Sequence, residues 1–527
     1  MMSQNWEWMG DQAGQRARLT PDREAILDLD NDIHYTYKDL DDRANALANY
    51  MATHLGVCKG DRVGFVARNC IEMFDGIFAC GKLGAIFVPY NLRLSAEELK
   101  QLFDKEELKV LFYEAVFVST VDKVKQLGSV VPHYVVIGTA ADAGAGHAND
   151  VVYADIMRTP DTTPRRCEDL TLEDIHLLIH TGGTTGLPKA AMISHRSVLF
   201  NALNNIVDWG LTSEDCVHLI LPLFHTGGWN ILTLALLRVG GRLLINKAFD
   251  PKLALSVIDQ YKPTCVFGAA TIFRLMHEQP EFDSTDWSSV QWVMSGAAPT
   301  PIQVMEKFWE KGIKFCAGYG LTEGGPMNIG MPVRFMSLEQ MKEKYTSVGI
   351  PFYFTVARIV REDGTEAGID EPGELIFSGP QIFSGYWHNE AETAKTLREG
   401  WVYTGDVARK DADGLYYIVG RKKNMYISGG ENVFPPEIER VLYDMPQVHE
   451  CCVIGVPDEK WGEVGKAVIA LQPGAVVDKA QVLEFLTKRL AHYKIPRYVT
   501  FVDDVPKNSV GKIVAQDVIK AYGQPQD

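Results

Sequence analysis

Ile179-His180-Thr181-Gly182-Gly183-Thr184-Thr185-Gly186-Leu187-Pro188-Lys189-Ala190 packs three threonines, three glycines and one lysine into the nine positions 181–189. That composition suits a loop wrapped around phosphate oxygens. Glycine lets the backbone turn and approach closely, while hydroxyls, amide N–H groups and an ammonium supply donors. The nucleotide P-loop, G-x-x-x-x-G-K-[ST], does not fit: no glycine stands six residues before a lysine that directly follows a second glycine. The flanks differ as well. Ile175–Ile179 reads as a short buried strand and Ala190–Ile193 as another. A helix begins only after Ser194, a good N-cap, with Val198, Leu199, Ala202, Leu203, Ile206 and Val207 on one face. The loop therefore joins two strands and has no helix dipole behind it, so further charge has to come from elsewhere in the chain.

At 527 residues the chain exceeds the size at which a single core stops growing, so at least two domains are expected. The net charge of −16 argues against nucleic acid as a partner. Residues 421–527 hold 14 basic and 14 acidic side chains, so the whole negative excess falls on the first 420 residues. Met1–Asp11 has no charged-then-apolar leader pattern. The longest apolar runs, such as Ile231–Leu237, fall far below the roughly 20 residues that span a bilayer, and no transmembrane segment is expected. Nine cysteines, scattered without metal-type spacing, point to reduced thiols and a cytoplasmic location.

Residues 33–135 and 215–320 alternate helix-like segments with short apolar strands, an α/β pattern. Ser95-Ala96-Glu97-Glu98 reads as a capping box, and Gly138–Asp150 as a surface loop. From 346 to 420 the chain becomes rich in strands and turns, and beyond 421 helices and strands mix again. The expected architecture is a large α/β region (1–422) of α/β subdomains plus a β-rich subdomain, with a small mobile α+β domain (423–527). The junction falls at Arg421-Lys422-Lys423-Asn424.

Four further segments are too polar for their surroundings. Tyr319-Gly320-Leu321-Thr322-Glu323 follows a strand and sets a hydroxyl beside a carboxylate; among phosphates, Glu323 makes sense as a Mg²⁺ ligand. Thr404-Gly405-Asp406 follows a Trp-Val-Tyr strand, and a carboxylate suits the paired hydroxyls of a ribose. Leu221–Trp229 sets His225 among aromatics and glycines, at the wall of an apolar pocket or as a satisfied core histidine. Pro506–Lys512 ends in a Gly-Lys turn, which by itself reads as a solvated surface charge.

Taken together and in this order, the segments resemble the acyl-adenylate-forming superfamily of acyl-CoA synthetases, adenylation domains and luciferases. Thr181–Ala190 matches its phosphate loop, Tyr319–Glu323 its Y-G-x-T-E motif, and Tyr403–Asp406 its T-G-D motif. Gly420-Arg421 with Ile427–Glu439 matches the hinge and its sequel, and Pro506–Lys512 the lysine loop. The resemblance runs from about residue 20 to 520. Pro222–His225, Ser428–Asn432 and Asp458–Glu463 are similar to the free-standing fatty-acid-type CoA ligases. Two departures stand out: Gly182 replaces the usual serine and Ala190 the usual glycine. At the hinge, Lys423 is followed by Asn424 where an acid is frequent.

The resemblance implies a two-step reaction with ATP and CoA as co-substrates and Mg²⁺ as cofactor. A carboxylate attacks the α-phosphate of ATP and expels pyrophosphate, and a thiol then displaces AMP from the acyl-adenylate. It implies that Thr181, Gly182, Gly183, Thr184, Thr185, Gly186 and Lys189 hold the polyphosphate, and that Tyr319 stacks on adenine beside Gly296, Ala297 and Ala298. Asp406 with Arg421 would hold the ribose, Gly320 would shape the motif, Thr322 would contact the α-phosphate, and Glu323 would bind Mg²⁺. Lys512 would bridge the carboxylate and α-phosphate. Rotation about Lys423 would exchange Lys512 for Ser428-Gly429-Gly430 along the pantetheine arm, with Trp461 against CoA or buried. His225 would gate an acyl pocket lined by Gly227, Gly228, Trp229, Ala298 and Gly318. A fatty acid is the leading small-molecule substrate, with aromatic or alicyclic acids, a carrier-protein-loading enzyme and a non-catalytic nucleotide-binding protein as alternatives. A homodimer stays open.

Overall fold

The computed structural model describes residues 7–138, 150–182, 187–296, 300–507 and 513–527. Two parallel sheets, each with seven strands among the described residues, form the large region. One runs in the order Val151–Val152, His133–Ile137, Leu108–Glu114, Arg62–Val66, Ile86–Pro89, Ile175–Thr181, Lys189–Ser194; the other in the order Lys314–Ala317, Trp292–Gly296, Cys265–Ala269, Cys216–Leu219, Arg242–Ile245, Glu24–Asp28, Ile33–Thr36. Each is parallel apart from one antiparallel strand at its end. Helices cover these strands because their sequences bury both faces, as in Phe65, Phe87, Phe112 and Trp292. A continuous core links the two sheets through Trp209, Trp229, Phe74 and Trp292. Each fully buried aromatic of this kind contributes roughly 1.5–3 kcal/mol.

Local chemistry explains the boundaries. Ser95 and Glu98 form the expected capping box at the helix Ala96–Lys105. Ser194 accepts a hydrogen bond from Ser197 N at the start of His195–Trp209, and Gly210 ends that helix at φ +60°. All nine cysteines are free thiols, eight of them buried. No helix among the described residues is long and apolar enough to cross a membrane.

The stretch 356–421 forms an antiparallel five-stranded sheet, and the C-terminal sheet is built on the long pair Val448–Asp458 and Gly462–Leu471. A single turn of 3-10 helix, Lys422–Asn424, lies between the strand Tyr416–Arg421 and the strand Tyr426–Ser428. The chain is thus an α/β protein with a β-rich third layer and an α+β C-terminal unit. One expectation shifts. The strand read as stopping before Thr404 continues over Trp401–Lys410, with Gly405 at φ +70° and an irregular register at Val407 and Ala408. The loop expected at Gly138–Asp150 lies, but for its two ends, outside the described residues.

Candidate active site

The opening loop is the turn of an antiparallel hairpin whose register sets Thr181 opposite Lys189. Its root is fixed from below. His180 Nε2 and Glu106 Oε1 lie 2.7 Å apart, and Tyr90 donates its hydroxyl to Glu106 at 2.5 Å while stacking on the His180 ring at 5.0 Å. Gly183, Thr184, Thr185 and Gly186 lie outside the described residues. Among the described residues, a Cβ at Gly182 would meet no atom within 4 Å. Lys189 pairs with Glu392 and sits 5.1 Å over the Tyr386 ring.

The second motif grows from the carboxyl end of the parallel strands, the usual position for ligands in such sheets. Gly318 N donates to Ser295 O at 2.9 Å, which sets Gly318 and Tyr319 beside Gly296 at the end of the neighbouring strand. Ala297 and Ala298 lie outside the described residues. At Gly320 a Cβ would stand 1.6 Å from the Pro326 carbonyl oxygen, so no side chain fits. The Tyr319 hydroxyl donates to Asp406 Oδ2 at 2.5 Å, and Arg421 Nε meets Asp406 Oδ1 at 2.9 Å. This grouping follows from strand register, since Asp406 and Arg421 are directly paired. Burial, together with the adjacent Asp406 charge, pushes the Tyr319 phenol well above its ordinary range, so it stays a donor.

Thr322 and Glu323 occupy a short 3-10 turn. Glu323 is buried, and its Oε1 accepts the Tyr386 hydroxyl at 2.6 Å. Its other oxygen has no hydrogen bond among the described residues. One free carboxylate oxygen fits Mg²⁺, which typically takes one or two carboxylates plus phosphate oxygens and water.

On the acyl side, Asn69 braces the turn that carries His225: its amide donates to Leu221 O at 3.0 Å and its carbonyl accepts from Leu223 N at 2.9 Å. Burial, followed by the charge of Arg93, pushes His225 down to about 4, so the ring is neutral at pH 7. Residues Gly227–Ile231 form a π-helical turn, a feature frequent at functional sites. It swings Trp229 inward. Instead of lining the pocket, Trp229 has no exposed surface and packs edge-on against Phe74 and Phe87. Gly228 closes on the Pro222 carbonyl, and Gly318 faces the Met294 sulfur and the Met327 methyl.

In the C-terminal unit, Ser428-Gly429-Gly430-Glu431 is a two-residue hairpin turn with both glycines at positive φ, +61° and +91°. Trp461 is 46% exposed, which removes the buried alternative. Its carbonyl accepts from Gly429 N at 2.9 Å, its ring lies against the Gly429 Cα, and Lys460 stands 4.6 Å over the ring. Burial, then the neighbouring Arg421 charge, lowers the Lys423 ammonium below its usual range, and Asp406 acts against that shift. Lys512 lies outside the described residues.

Sequence reading assigned no role to Tyr386, Glu392, Asn69 or the Glu106–His180 pair. Gly385-Tyr386-Trp387 carries no polar signature, and the other contacts join residues far apart in the chain.

Comparison with known proteins matches residues 14–387 to the AMP-binding enzyme family and residues 437–512 to the AMP-binding enzyme C-terminal domain. The chain belongs to the AMP-binding enzyme family. It is 36% identical to a feruloyl-CoA synthase of Amycolatopsis over 517 residues, covering 98% of this chain and 99% of the relative. It is also 34% identical to a long-chain-fatty-acid–CoA ligase of Bacillus subtilis, covering 95% and 92%. The solved structure of an anthranilate CoA ligase, AuaEII, with anthranoyl-AMP superimposes with a TM-score of 0.89 at 26% identity, covering 99% of this chain and 98% of that one. This family member is an AMP-forming acyl-CoA synthetase of the acyl-adenylate-forming superfamily, and its fold joins Tyr319 to Asp406 directly and Lys189 to Glu323 through Tyr386.

Proposed function

We propose that this ligase activates an aryl or arylalkenyl carboxylic acid, with a fatty acid as the less favoured substrate. The observation that carries the reading is the packing behind the acyl wall. Trp229, next in the chain after Gly227 and Gly228, has no exposed surface and packs edge-on against Phe74 and Phe87, a closed aromatic layer that favours a short, flat acid over a long alkyl chain. The Met294 sulfur and the Met327 methyl close over Gly318, within 3 Å of where a Cβ would stand, and thioethers at that position make favourable contacts with an aromatic ring. The aromatic acids in the names of two of the relatives support the same choice.

In this reading a carboxylate oxygen bonds to the α-phosphorus and pyrophosphate leaves. The CoA thiol then bonds to the acyl carbon and AMP leaves with the former carboxylate oxygen. The protein contributes position and charge. Tyr319 stacks on the adenine, while Asp406 and Arg421 hold the ribose. Thr322 and Lys512 face the α-phosphate, and Thr181 to Lys189 hold the β- and γ-phosphates. Glu323 would hold Mg²⁺, which when bound neutralises polyphosphate charge. Ser428, Gly429, Gly430 and Trp461 receive CoA once the C-terminal unit turns about Lys423, and neutral His225 faces the acyl group. Cinnamic-, benzoic- and fatty-acid panels assayed for AMP and CoA thioester test the substrate class. An aryl acid should exceed palmitate at least tenfold in kcat/KM, as expected of more than about 1.4 kcal/mol of discrimination. Preference for long alkyl acids would refute the aryl reading.

A further inference from the structure

One side chain outside the recognised motifs touches two of them. Tyr386 donates its hydroxyl to Glu323 Oε1 at 2.6 Å, and its ring lies 5.1 Å beneath the Lys189 ammonium. Its position is set by the hairpin itself. Met192 N donates to Gly385 O at 2.9 Å, Ser384 N to Met192 O at 2.9 Å, and Trp387 N to Ala190 O at 2.8 Å, so 384–387 pairs with the phosphate-loop strand through an antiparallel bridge of Ala191 and Tyr386. Asn389 then caps the helix Glu390–Thr396, and that cap presents Glu392 toward Lys189.

Glu392 ion-pairs with Lys189 through Oε2 and accepts a hydrogen bond from Lys395 through Oε1 at 2.6 Å. The Lys189 and Glu392 side chains are each about three-tenths exposed, so the pair is open to exchange. The hydrogen bond from Lys189 is the largest influence holding the Glu392 carboxyl down at about 2, so it is ionised at every physiological pH.

We propose that Glu392 is a resident stand-in for phosphate: with Tyr386 as platform it holds the Lys189 ammonium, and polyphosphate has to displace it. This rests on the reading of Lys189 as a polyphosphate ligand. Glu392 is then a positioning residue. It keeps a flexible lysine ordered at the site, and by competing with the ligand it makes polyphosphate binding weaker than the lysine alone would allow. Tyr386 ties the same lysine to Glu323, so the polyphosphate and Mg²⁺ positions are set by one phenol.

The test is calorimetric titration of the full-length protein with inorganic pyrophosphate, with and without Mg²⁺. E392Q and E392A should each bind metal-free pyrophosphate about two- to five-fold tighter than wild type, the scale of losing a partly exposed competing ion pair. In a K189A background E392Q should be neutral. Y386F keeps the ring under Lys189 and should leave metal-free pyrophosphate binding unchanged, while raising the Mg²⁺ concentration needed for half-maximal enhancement. Unchanged or weaker binding by both Glu392 variants overturns the proposal, as does tightening that persists without Lys189. Failure of K189A itself to weaken pyrophosphate binding would instead strike the underlying role of Lys189.

Discussion

Replacing Asp406 by asparagine removes one charge and little else. Asp406 is buried, accepts the Tyr319 hydroxyl at 2.5 Å and pairs with Arg421 Nε at 2.9 Å. Arg421 is 52% exposed, so water compensates much of the lost pairing, and the cost to folding is about 1 kcal/mol or less. The asparagine carbonyl still accepts from Tyr319, which limits any rearrangement. The nucleotide is affected more. Hydrogen bonds to a charged acceptor contribute about 1.5–3 kcal/mol, against about 1 kcal/mol for a neutral one. Over the ribose hydroxyls the difference amounts to roughly 1–2 kcal/mol, so D406N should bind AMP about five- to thirty-fold more weakly. Calorimetry with AMP and with 2′,3′-dideoxyadenosine monophosphate separates the contributions. The dideoxy compound should bind wild type and D406N within about two-fold of each other. An equal loss for both ligands would refute ribose recognition by this carboxylate, as would an unchanged affinity for AMP.

Trp461 is exposed and packs against the glycine turn and beneath Lys460, so W461A should change stability by less than about 0.5 kcal/mol while raising the KM for CoA severalfold. ATP–pyrophosphate exchange should be unaffected, and a parallel loss in exchange would contradict the assignment to CoA. Burial pushes His195 down to about 3 and His218 to about 4. Both are neutral in the folded state but titrate near 6.5 when unfolded, so the unfolded chain binds more protons between those values. Their stabilising contribution is present above pH 6.5 and is lost as pH falls toward about 4 for His218 and about 3 for His195, at up to about 1.4 kcal/mol per pH unit for each ring. H218Q should therefore lose less stability than wild type between pH 6.5 and 5 in denaturant titrations, and identical pH slopes would count against a neutral buried His218.

Much of the site was legible because its motifs are contiguous. The Thr181–Lys189 run, Tyr319–Glu323 and Gly429-Gly430 each carry their own composition, and their strands and caps follow from local pattern, as at Ser95 and Ser194. Other features depend on distance in the chain. Tyr386 meets Glu323 across 63 positions and Lys189 meets Glu392 across 203, joined only when 384–387 pairs with the hairpin. The Asp406–Arg421 pairing is set by strand register, which composition at either end does not reveal. Trp229 was misplaced because apolar spacing does not distinguish a pocket wall from the layer behind it; the π-helical turn at 227–231 makes that choice.

The central claim is that the acid is activated by direct attack of its carboxylate on the α-phosphate. Turnover with a carboxylic acid carrying ¹⁸O in both carboxyl oxygens, followed by mass analysis of the nucleotide product, tests this directly. Direct attack should give AMP bearing one ¹⁸O for each CoA thioester formed, with unlabelled pyrophosphate. Label in inorganic phosphate with ADP as the nucleotide product, or AMP free of ¹⁸O, would contradict it.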